Sequence, residues 1–123
     1  MEENRFSRTA LGAALHRAAH QTLEGGLVFK DPFACAILGL TPQEAAERDG
    51  GDERRRRMRL FIVARSNLAE RRIAAAVARG VRQVVVLGAG LDTFGLRNPH
   101  AAEGLRVFEV DHPATQAWKR ERL

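Results

Sequence analysis

Apolar residues recur at helical spacing in the first part of the chain. They lie three or four positions apart and form one face: Leu11, Leu15, Ala18 or Ala19, and Leu23. This period is that of an amphipathic α-helix. Ser7 is a suitable N-cap for this helix, and Gly25 with Gly26 is expected to end it.

The next two helices are predicted from their capping residues. In "KDPFACAILGL", Asp31 can cap a short buried helix that Gly39 would end. In "TPQEAAER", Thr41 can cap a second helix, and Glu44 completes a capping box three residues later. Residues 49–53, "DGGDE", are predicted to form a loop.

A long helix is predicted over about residues 54–79, and Gly80 would end it. Its apolar stripe consists of Met58, Phe61, Ile62, Leu68, Ile73, Ala76 and Val77. Arg65 falls near that stripe, where a charged side chain is out of place. The arginines at 54–57 and 59 are interpreted as a solvated face, although cations at a helix N-terminus are mildly unfavourable.

The hydrophobic period then changes to that of strands. Residues 83–88, "QVVVLG", predict a strand buried on both faces, and residues 105–111, "LRVFEVD", predict a second. Pro113 opens another helix. A helical segment of about eighty residues therefore precedes the start of a parallel α/β sheet. Because two parallel strands do not complete a buried sheet, we expect the N-terminal part of a longer protein or an abbreviated relative.

Composition narrows the class of protein. The chain has 123 residues and a net charge of +5, carried by 18 Arg and 2 Lys against 15 acids. It suits one domain, and the lack of interleaved aromatic residues argues against nucleic-acid binding. Cys35, the single cysteine, allows no internal disulfide and no thiol-based metal site. The polar N-terminus and short apolar runs predict no signal peptide, no membrane span and a cytoplasmic location.

Two glycines and two acids follow the predicted strands. Gly88, Ala89 and Gly90 come directly after the first strand, and Asp111 ends the second strand 23 residues after Gly88. In an open α/β sheet, ligands bind beyond the carboxyl ends of the strands. Glycine lets the backbone approach a ligand closely, and a carboxylate at this spacing suits the hydroxyls of a ribose. The pattern predicts an adenosine-type ligand.

The residues after the glycines bear on which ligand binds. A dinucleotide site favours G-x-G-x-x-G, but Thr93 stands at the third glycine position and Gly95 comes two residues late. Asp92 would repel a pyrophosphate, whereas it tolerates a cofactor that carries positive charge. S-adenosylmethionine carries a sulfonium and an ammonium and has no phosphate. The sequence favours it over NAD, although an NAD-dependent oxidoreductase stays open as a less favoured alternative.

These motifs together resemble the leucine carboxyl methyltransferase family and its bacterial S-adenosylmethionine-dependent O-methyltransferase relatives. The resemblance lies in "VVVLGAGLDTFGLR" followed by "FEVDHP", with "KDPFA" and "FIVAR" upstream, and covers the chain from about residue 5. It implies an α/β fold in which residues 1–80 form a helical N-terminal cap region. Residues 81–123 would then be the first strands of a Rossmann-like class I methyltransferase sheet, apparently incomplete.

The resemblance also implies site residues. Gly88, Ala89 and Gly90 would line the methionine part of S-adenosylmethionine, and Asp111 would hold the ribose hydroxyls. Arg65, in "FIVAR", matches the arginine that meets the cofactor's carboxylate.

Further residues receive weaker roles from the resemblance. Arg8 is the nearest basic candidate in the first helix, with Ser7 as an alternative in that register. Asp92 and Glu109 are second-tier cofactor residues, each with loop capping or strand-end solvation as an equal alternative. Arg97 could pair with either acid.

The reaction implied by the family is transfer of a methyl group to a carboxyl or hydroxyl oxygen. The acceptor would be a small molecule or a protein carboxylate, and no catalytic residue is assigned. His16 and His20 are interpreted as helix-surface residues rather than metal ligands, and His112 as a loop residue more than a ligand contact. The alternative is a non-catalytic, truncated paralogue that oligomerises or binds a partner, and a homo-oligomer is expected if the chain is complete as given.

Overall fold

A computed structural model describes residues 8–123, so the capping role predicted for Ser7 lies outside the described residues. The elements are α1 Arg8–Leu23, α2 Pro42–Asp49, α3 Glu53–Ala78, β1 Gln83–Leu87, α4 Phe94–Arg97, β2 Arg106–Val110 and α5 Pro113–Glu121. Two 3-10 turns lie at Ala36–Leu38 and Ala101–Glu103. The described chain is thus mixed α/β, mostly helical, with a small parallel sheet.

The helix boundaries follow the capping residues. The Thr41 hydroxyl accepts from the Glu44 N–H at 3.1 Å, and the Glu44 carboxylate accepts from the Thr41 N–H at 3.0 Å, so the predicted capping box is confirmed. Gly39 has φ 68° and ends the preceding segment, which is a 3-10 turn rather than an α-helix. Gly80, at φ 103°, follows α3 as expected. The predicted loop 49–53 is shorter than expected because Asp49 ends α2 and Glu53 begins α3.

The apolar stripe predicted for α3 is wrong in part. Met58, Phe61 and Leu68 are 50%, 60% and 51% exposed. The buried side chains of this helix are instead Arg59, Val63 and Val77. The helix is rotated in this way because Arg59 forms buried ion pairs with Asp49 of α2 and with Glu24, directly after α1, which the apolar pattern of the helix does not reveal.

Those ion pairs centre on Asp49, whose side chain is fully buried. Its carboxylate accepts from Arg55 at 2.7 Å and from Arg59 at 3.1 Å, and lies 2.8 Å from Nδ1 of His16. Arg59 also donates to both oxygens of Glu24, at 2.8–3.1 Å. Arg59 therefore joins α3 to the end of α2 and to the residue directly after α1. Arg54 to Arg57 are exposed, as the solvated-face interpretation predicts, although Arg55 also pairs with Asp49. The paired carboxylates of Asp49 and Glu24 offset the unfavourable helix dipole.

The two strands run parallel, with Gln83 opposite Arg106 and Leu87 opposite Val110. The inward side chains of both strands pack on α3 and α4: Val84 and Val107 join a cluster around Val77, Phe94 and Leu105. The outward face is exposed: Val85 57%, Leu87 77%, Phe108 46% and Val110 53%. The prediction of strands buried on both faces is therefore wrong for the described residues, because helices cover only one face.

Among residues 8–123, no helix is both long enough and apolar enough to cross a membrane.

Candidate functional site

A cleft of about 460 Å³ lies at the carboxyl ends of the two strands. Its walls come from α1, α3, the loop after β1 and the end of β2. Six of the residues predicted for a cofactor site line it: Arg65, Gly88, Ala89, Gly90, Asp92 and Asp111. These residues are separated by up to 46 positions in the chain, from 65 to 111, and the fold brings them to one place.

The glycine turn is shaped by positive φ angles. Gly88 has φ 61° and Gly90 has φ 55°, a region in which other residues are strained. The N–H of Gly88 donates to the carbonyl of Val110 at 2.7 Å, so the turn begins as a continuation of the sheet. A Cβ on Gly88 would meet nothing within 4 Å, which leaves open space beside the strand end. A Cβ on Gly90 would lie 3.2 Å from the Cβ of Ala10.

The carboxylate of Asp111 joins the ends of both strands. Its Oδ2 accepts from the N–H of Gly90 at 2.6 Å, and its Oδ1 accepts from the N–H of His112 at 2.7 Å. An ionised carboxylate has about four lone-pair positions, so each oxygen can accept a further bond from a ligand. The side chain of His112 caps α5 by accepting from Ala114 at 3.1 Å and does not line the cleft, in agreement with a loop role.

Arg17 is a cleft residue that the sequence interpretation missed. It lies on α1, is 7% exposed, and its Nη2 donates to the carbonyl of Leu91 at 2.6 Å. Its Nε lies 3.7 Å from Oδ2 of Asp31, and neither of these buried atoms has a hydrogen-bond partner. Burial lowers the pKa of the Arg17 guanidinium, while the charges of Asp92 and Asp31 oppose that shift. The only signal in the sequence was a cation among small apolar residues in "HRAAH".

Arg97 does not form the ion pair that was considered for it. It makes a bidentate pair with Glu70 of α3, at 2.9 and 2.6 Å, rather than with Asp92 or Glu109. Its Nε also donates to the hydroxyl of Thr93 at 2.9 Å. Burial works to lower the pKa of Arg97, but the hydrogen bond and charge of Glu70, together with the charges of Asp31 and Asp92, raise it overall. Arg97 therefore ties the glycine loop to α3.

Asp92 has a local structural role beside its place in the cleft. Its Oδ2 accepts from the N–H of Phe94 at 3.0 Å, at the first residue of α4. The Asp92 carboxylate thus bonds within its own loop, one residue before the N-cap Thr93.

Two of the weaker candidates lie outside the cleft. Arg8 is exposed at the start of α1 and is not among the lining residues, so Arg17 is the α1 cation that reaches the cleft. Glu109 pairs with Lys119 of α5 at 2.8 and 2.9 Å and lines a second cleft of about 340 Å³. Glu109 lies two residues before Asp111, yet the fold directs its carboxylate to α5.

His16 and His20 are not helix-surface residues, contrary to the sequence interpretation. His20 is fully buried; its Nε2 accepts from the N–H groups of Val28 and Phe29 at 3.2 and 3.3 Å, and its Nδ1 lies 2.8 Å from Glu24. His16 pairs with the buried Asp49. Both rings are therefore engaged by the protein itself. Within the described part of the chain, no group of three or more candidate metal ligands is present.

The chain belongs to the leucine carboxyl methyltransferase family, because residues 10–123 match the model described as "Leucine carboxyl methyltransferase". The resemblance stated from its motifs is thereby confirmed.

Relatives with names of this class match almost the whole chain. A Bacillus subtilis protein called "Putative S-adenosyl-L-methionine-dependent methyltransferase YktD" is 32% identical over 146 residues, which covers 100% of this chain and 48% of the relative. Similarly named proteins of Streptomyces coelicolor and Streptomyces avermitilis are 41% and 40% identical over 120 residues, and the match covers 94% of this chain and 42% of each relative. The chain thus spans less than half the length of these relatives.

Proposed function

We propose that this chain binds S-adenosylmethionine in the strand-end cleft and belongs to an O-methyltransferase. The observation that carries the proposal is the adjacency of two features at the cleft: the side-chain-free turn at Gly88 and Gly90, and the carboxylate of Asp111 bonded to that turn at 2.6 Å. Family membership and the names of the relatives support the same cofactor.

The residues around the cleft fit the chemical groups of this cofactor. Asp111 would accept from the two ribose hydroxyls with its remaining lone pairs, and the open space beside Gly88 would admit the methionine part. Arg65 would pair with the cofactor's carboxylate. Asp92 would lie near a cofactor that carries a positively charged sulfonium and ammonium and no negatively charged phosphate. Ligand clefts commonly measure about 300–1,000 Å³, and the observed 460 Å³ lies within that range.

The same residues disfavour a pyrophosphate cofactor such as NAD. The turn lacks a third glycine, and the buried Thr93 that replaces it accepts a bond from Arg97. Asp92 adds a negative charge next to the turn, where a dinucleotide would present its phosphates. We therefore assign the cleft to a cationic, phosphate-free nucleoside.

Methyl transfer is an in-line displacement in which the protein contributes mainly alignment. When bound, S-adenosylmethionine supplies a methyl group on a sulfonium. Arg65 and Asp111 would fix the two ends of the molecule, and the turn between them would leave the methyl group accessible. The acceptor is proposed to be a carboxyl or hydroxyl oxygen of a small molecule or a protein. An ionised carboxylate needs no general base, and no residue is assigned that role.

We also propose that the two strands open a larger Rossmann-like sheet of the class I methyltransferase type. Residues 1–80 would form its helical cap and residues 81–123 the first part of the cofactor domain. Two observations support this: the parallel pairing of β1 and β2, and the cleft at their carboxyl ends. The exposed outer face of the strands is where further helices would pack. On this proposal, the chain is the N-terminal part of a longer methyltransferase.

Isothermal titration calorimetry tests the cofactor assignment. The 123-residue chain is expected to bind S-adenosylmethionine and S-adenosylhomocysteine, and not NAD. Two charge-assisted hydrogen bonds to the ribose are worth about 1.5–3 kcal/mol each, so Asp111→Ala should weaken binding by about a hundredfold or more. Glu121→Ala removes an acid from the exposed end of α5 and is the matched control. Unchanged affinity in the Asp111 variant, or tighter binding of NAD, would refute the assignment.

Solution mass separates a methyltransferase segment from the alternative of an oligomeric, non-catalytic paralogue. A defined oligomer that binds no methyl donor would favour the paralogue.

A further inference from the structure

The outward side of α3 carries large apolar side chains among arginines. Met58, Phe61 and Leu68 are half exposed or more, at 50%, 60% and 51%. Exposed arginines share the same helical stripe: Arg54, Arg57, Arg65 and Arg72. Arg65 also lines the strand-end cleft, so we call the other six residues the arginine stripe.

The arginine stripe is continuous and carries one sign of charge. At 100° per residue its members fall within an arc of about 100°, which keeps them on one side of the helix. From Arg54 to Arg72 it spans 18 positions, or about 27 Å at the rise of an α-helix. No aspartate or glutamate lies on it. Within residues 8–123, none of its three guanidinium groups forms an ion pair, unlike those of Arg55 and Arg59.

An exposed patch of this kind marks an interaction surface. The helix does not need the stripe for its own packing, because the face that contacts α1 carries Arg59 and Val63. We propose that the arginine stripe docks a partner protein that presents an acidic, amphipathic segment.

The residue types of the arginine stripe define the chemistry of the partner's surface. Arginine, methionine and aromatic side chains are the types enriched in protein–protein interfaces. The planar guanidinium pairs with carboxylates through two parallel hydrogen bonds, and it loses less hydration than an ammonium on burial. Arginines interleaved with Met58, Phe61 and Leu68 therefore match a surface on which carboxylates alternate with apolar side chains.

A second copy of this chain does not match the arginine stripe well. Two stripes facing each other would bring like charges together, which is costly. Several acids of this chain are already committed to its own cations: Glu24 and Asp49 to Arg59, Glu70 to Arg97, and Glu109 to Lys119.

A membrane surface also fits less well. In an interfacial amphipathic helix, the charged residues lie on a polar face that is separate from the apolar face. Here Arg57 and Arg72 lie within about 40° of Phe61 and Leu68 around the helix axis, so they would enter the hydrocarbon with them.

The probe for this test is a fluorescein-labelled, helix-forming synthetic peptide of 18 residues with glutamates and leucines on one face. Fluorescence anisotropy with the 123-residue chain should show saturable binding that weakens with added salt. Arg57→Gln/Arg72→Gln should weaken it at least tenfold, and so should Phe61→Ser. The matched control, Arg48→Gln/Arg120→Gln, removes two exposed arginines from α2 and α5 and should change the affinity less than twofold.

Four results would overturn the proposal. Equal weakening by the control variant would show that only net charge matters. Equal binding of a peptide with glutamine in place of glutamate would show that its carboxylates are not recognised. Phe61-dependent binding to vesicles of phosphatidylserine and phosphatidylcholine, without peptide binding, would favour a membrane. A wild-type chain that dimerises with Phe61 dependence would favour a second copy.

This proposal does not depend on the methyltransferase assignment. None of the substituted residues lines the cleft, so the Arg57→Gln/Arg72→Gln variant should bind S-adenosylmethionine as the wild type does. Far-ultraviolet circular dichroism and thermal melting establish that each variant is folded, which the exposure of these side chains leads us to expect.

Discussion

The contact between Arg17 and the glycine loop allows one prediction to be worked out in detail. Arg17→Met keeps much of the side-chain length but removes the guanidinium that donates to the carbonyl of Leu91 at 2.6 Å. The substitution therefore detaches the loop Gly88–Asp92 from α1, and it leaves a buried carbonyl without its donor. Both the free energy of unfolding and the affinity for S-adenosylmethionine should fall.

The expected loss of stability has two parts. A hydrogen bond from a charged donor is worth about 1.5–3 kcal/mol, and the Leu91 bond is buried and short. The ion pair with Asp31 is 3.7 Å long and makes no hydrogen bond, so it adds only about 1 kcal/mol, in the lower range of measured couplings. The sum, about 2.5–4 kcal/mol, is a large fraction of the about 5–15 kcal/mol that stabilise a domain.

A double-mutant cycle separates the two parts. Urea unfolding of the wild type, Arg17→Met, Asp31→Asn and the double variant gives the coupling between the two side chains. We expect a coupling of about 1 kcal/mol, with most of the Arg17→Met loss retained in the double variant because the Leu91 bond is lost in both. Arg17→Lys keeps the charge without the planar fork, and it should recover part of the stability and of the cofactor affinity.

One result would refute the structural role of Arg17, and another would refute its role in cofactor binding. If Arg17→Met leaves the free energy of unfolding unchanged, the hydrogen bond to Leu91 does not hold the loop. If it destabilises the chain but leaves the affinity for S-adenosylmethionine intact below the melting temperature, Arg17 is a structural residue and does not position the loop for the ligand.

Three further predictions concern other parts of the fold. Gly90→Ala should destabilise the chain by about 1–2 kcal/mol, because φ is 55° and the new Cβ would lie 3.2 Å from a side chain of α1; Gly12→Ala, in a helix and with open space, should stabilise it by about 0.5–1 kcal/mol. Thermal unfolding compares the two glycine variants. Asp49→Asn should cost about 3 kcal/mol in urea unfolding, since it leaves buried cations without their carboxylate, and a loss below about 1 kcal/mol, a typical single hydrogen bond, would contradict the network. The hydrogen bond from Arg59 holds the pKa of Glu24 below its ordinary 4.5, so the stability that it contributes is present above that pH and is lost as the pH falls through the lower folded pKa; Glu24→Gln should reduce this acid dependence.

Some residues of the candidate site could be predicted from the sequence, and others could not. The glycines and Asp111 were recognisable because a strand, a side-chain-free turn and an acid follow one another at short range. Arg17 was not, because nothing in the local sequence indicates that its guanidinium reaches a carbonyl 74 positions away. Glu109 shows the converse: its position at a strand end suggested a second-tier role in the cleft, whereas its carboxylate pairs with Lys119 on α5.

The sequence by itself determined the local structure of this protein: where helices begin and end, where the strands lie, and which turn is free of side chains. Capping boxes, glycines at positive φ and β-branched runs act over a few residues, so their effects can be read locally. Only the tertiary structure decided which side of α3 is buried and which cations reach the cleft. Those choices rest on ion pairs between distant residues, such as Arg59 with Glu24 and Arg97 with Glu70, which form only when the helices have packed.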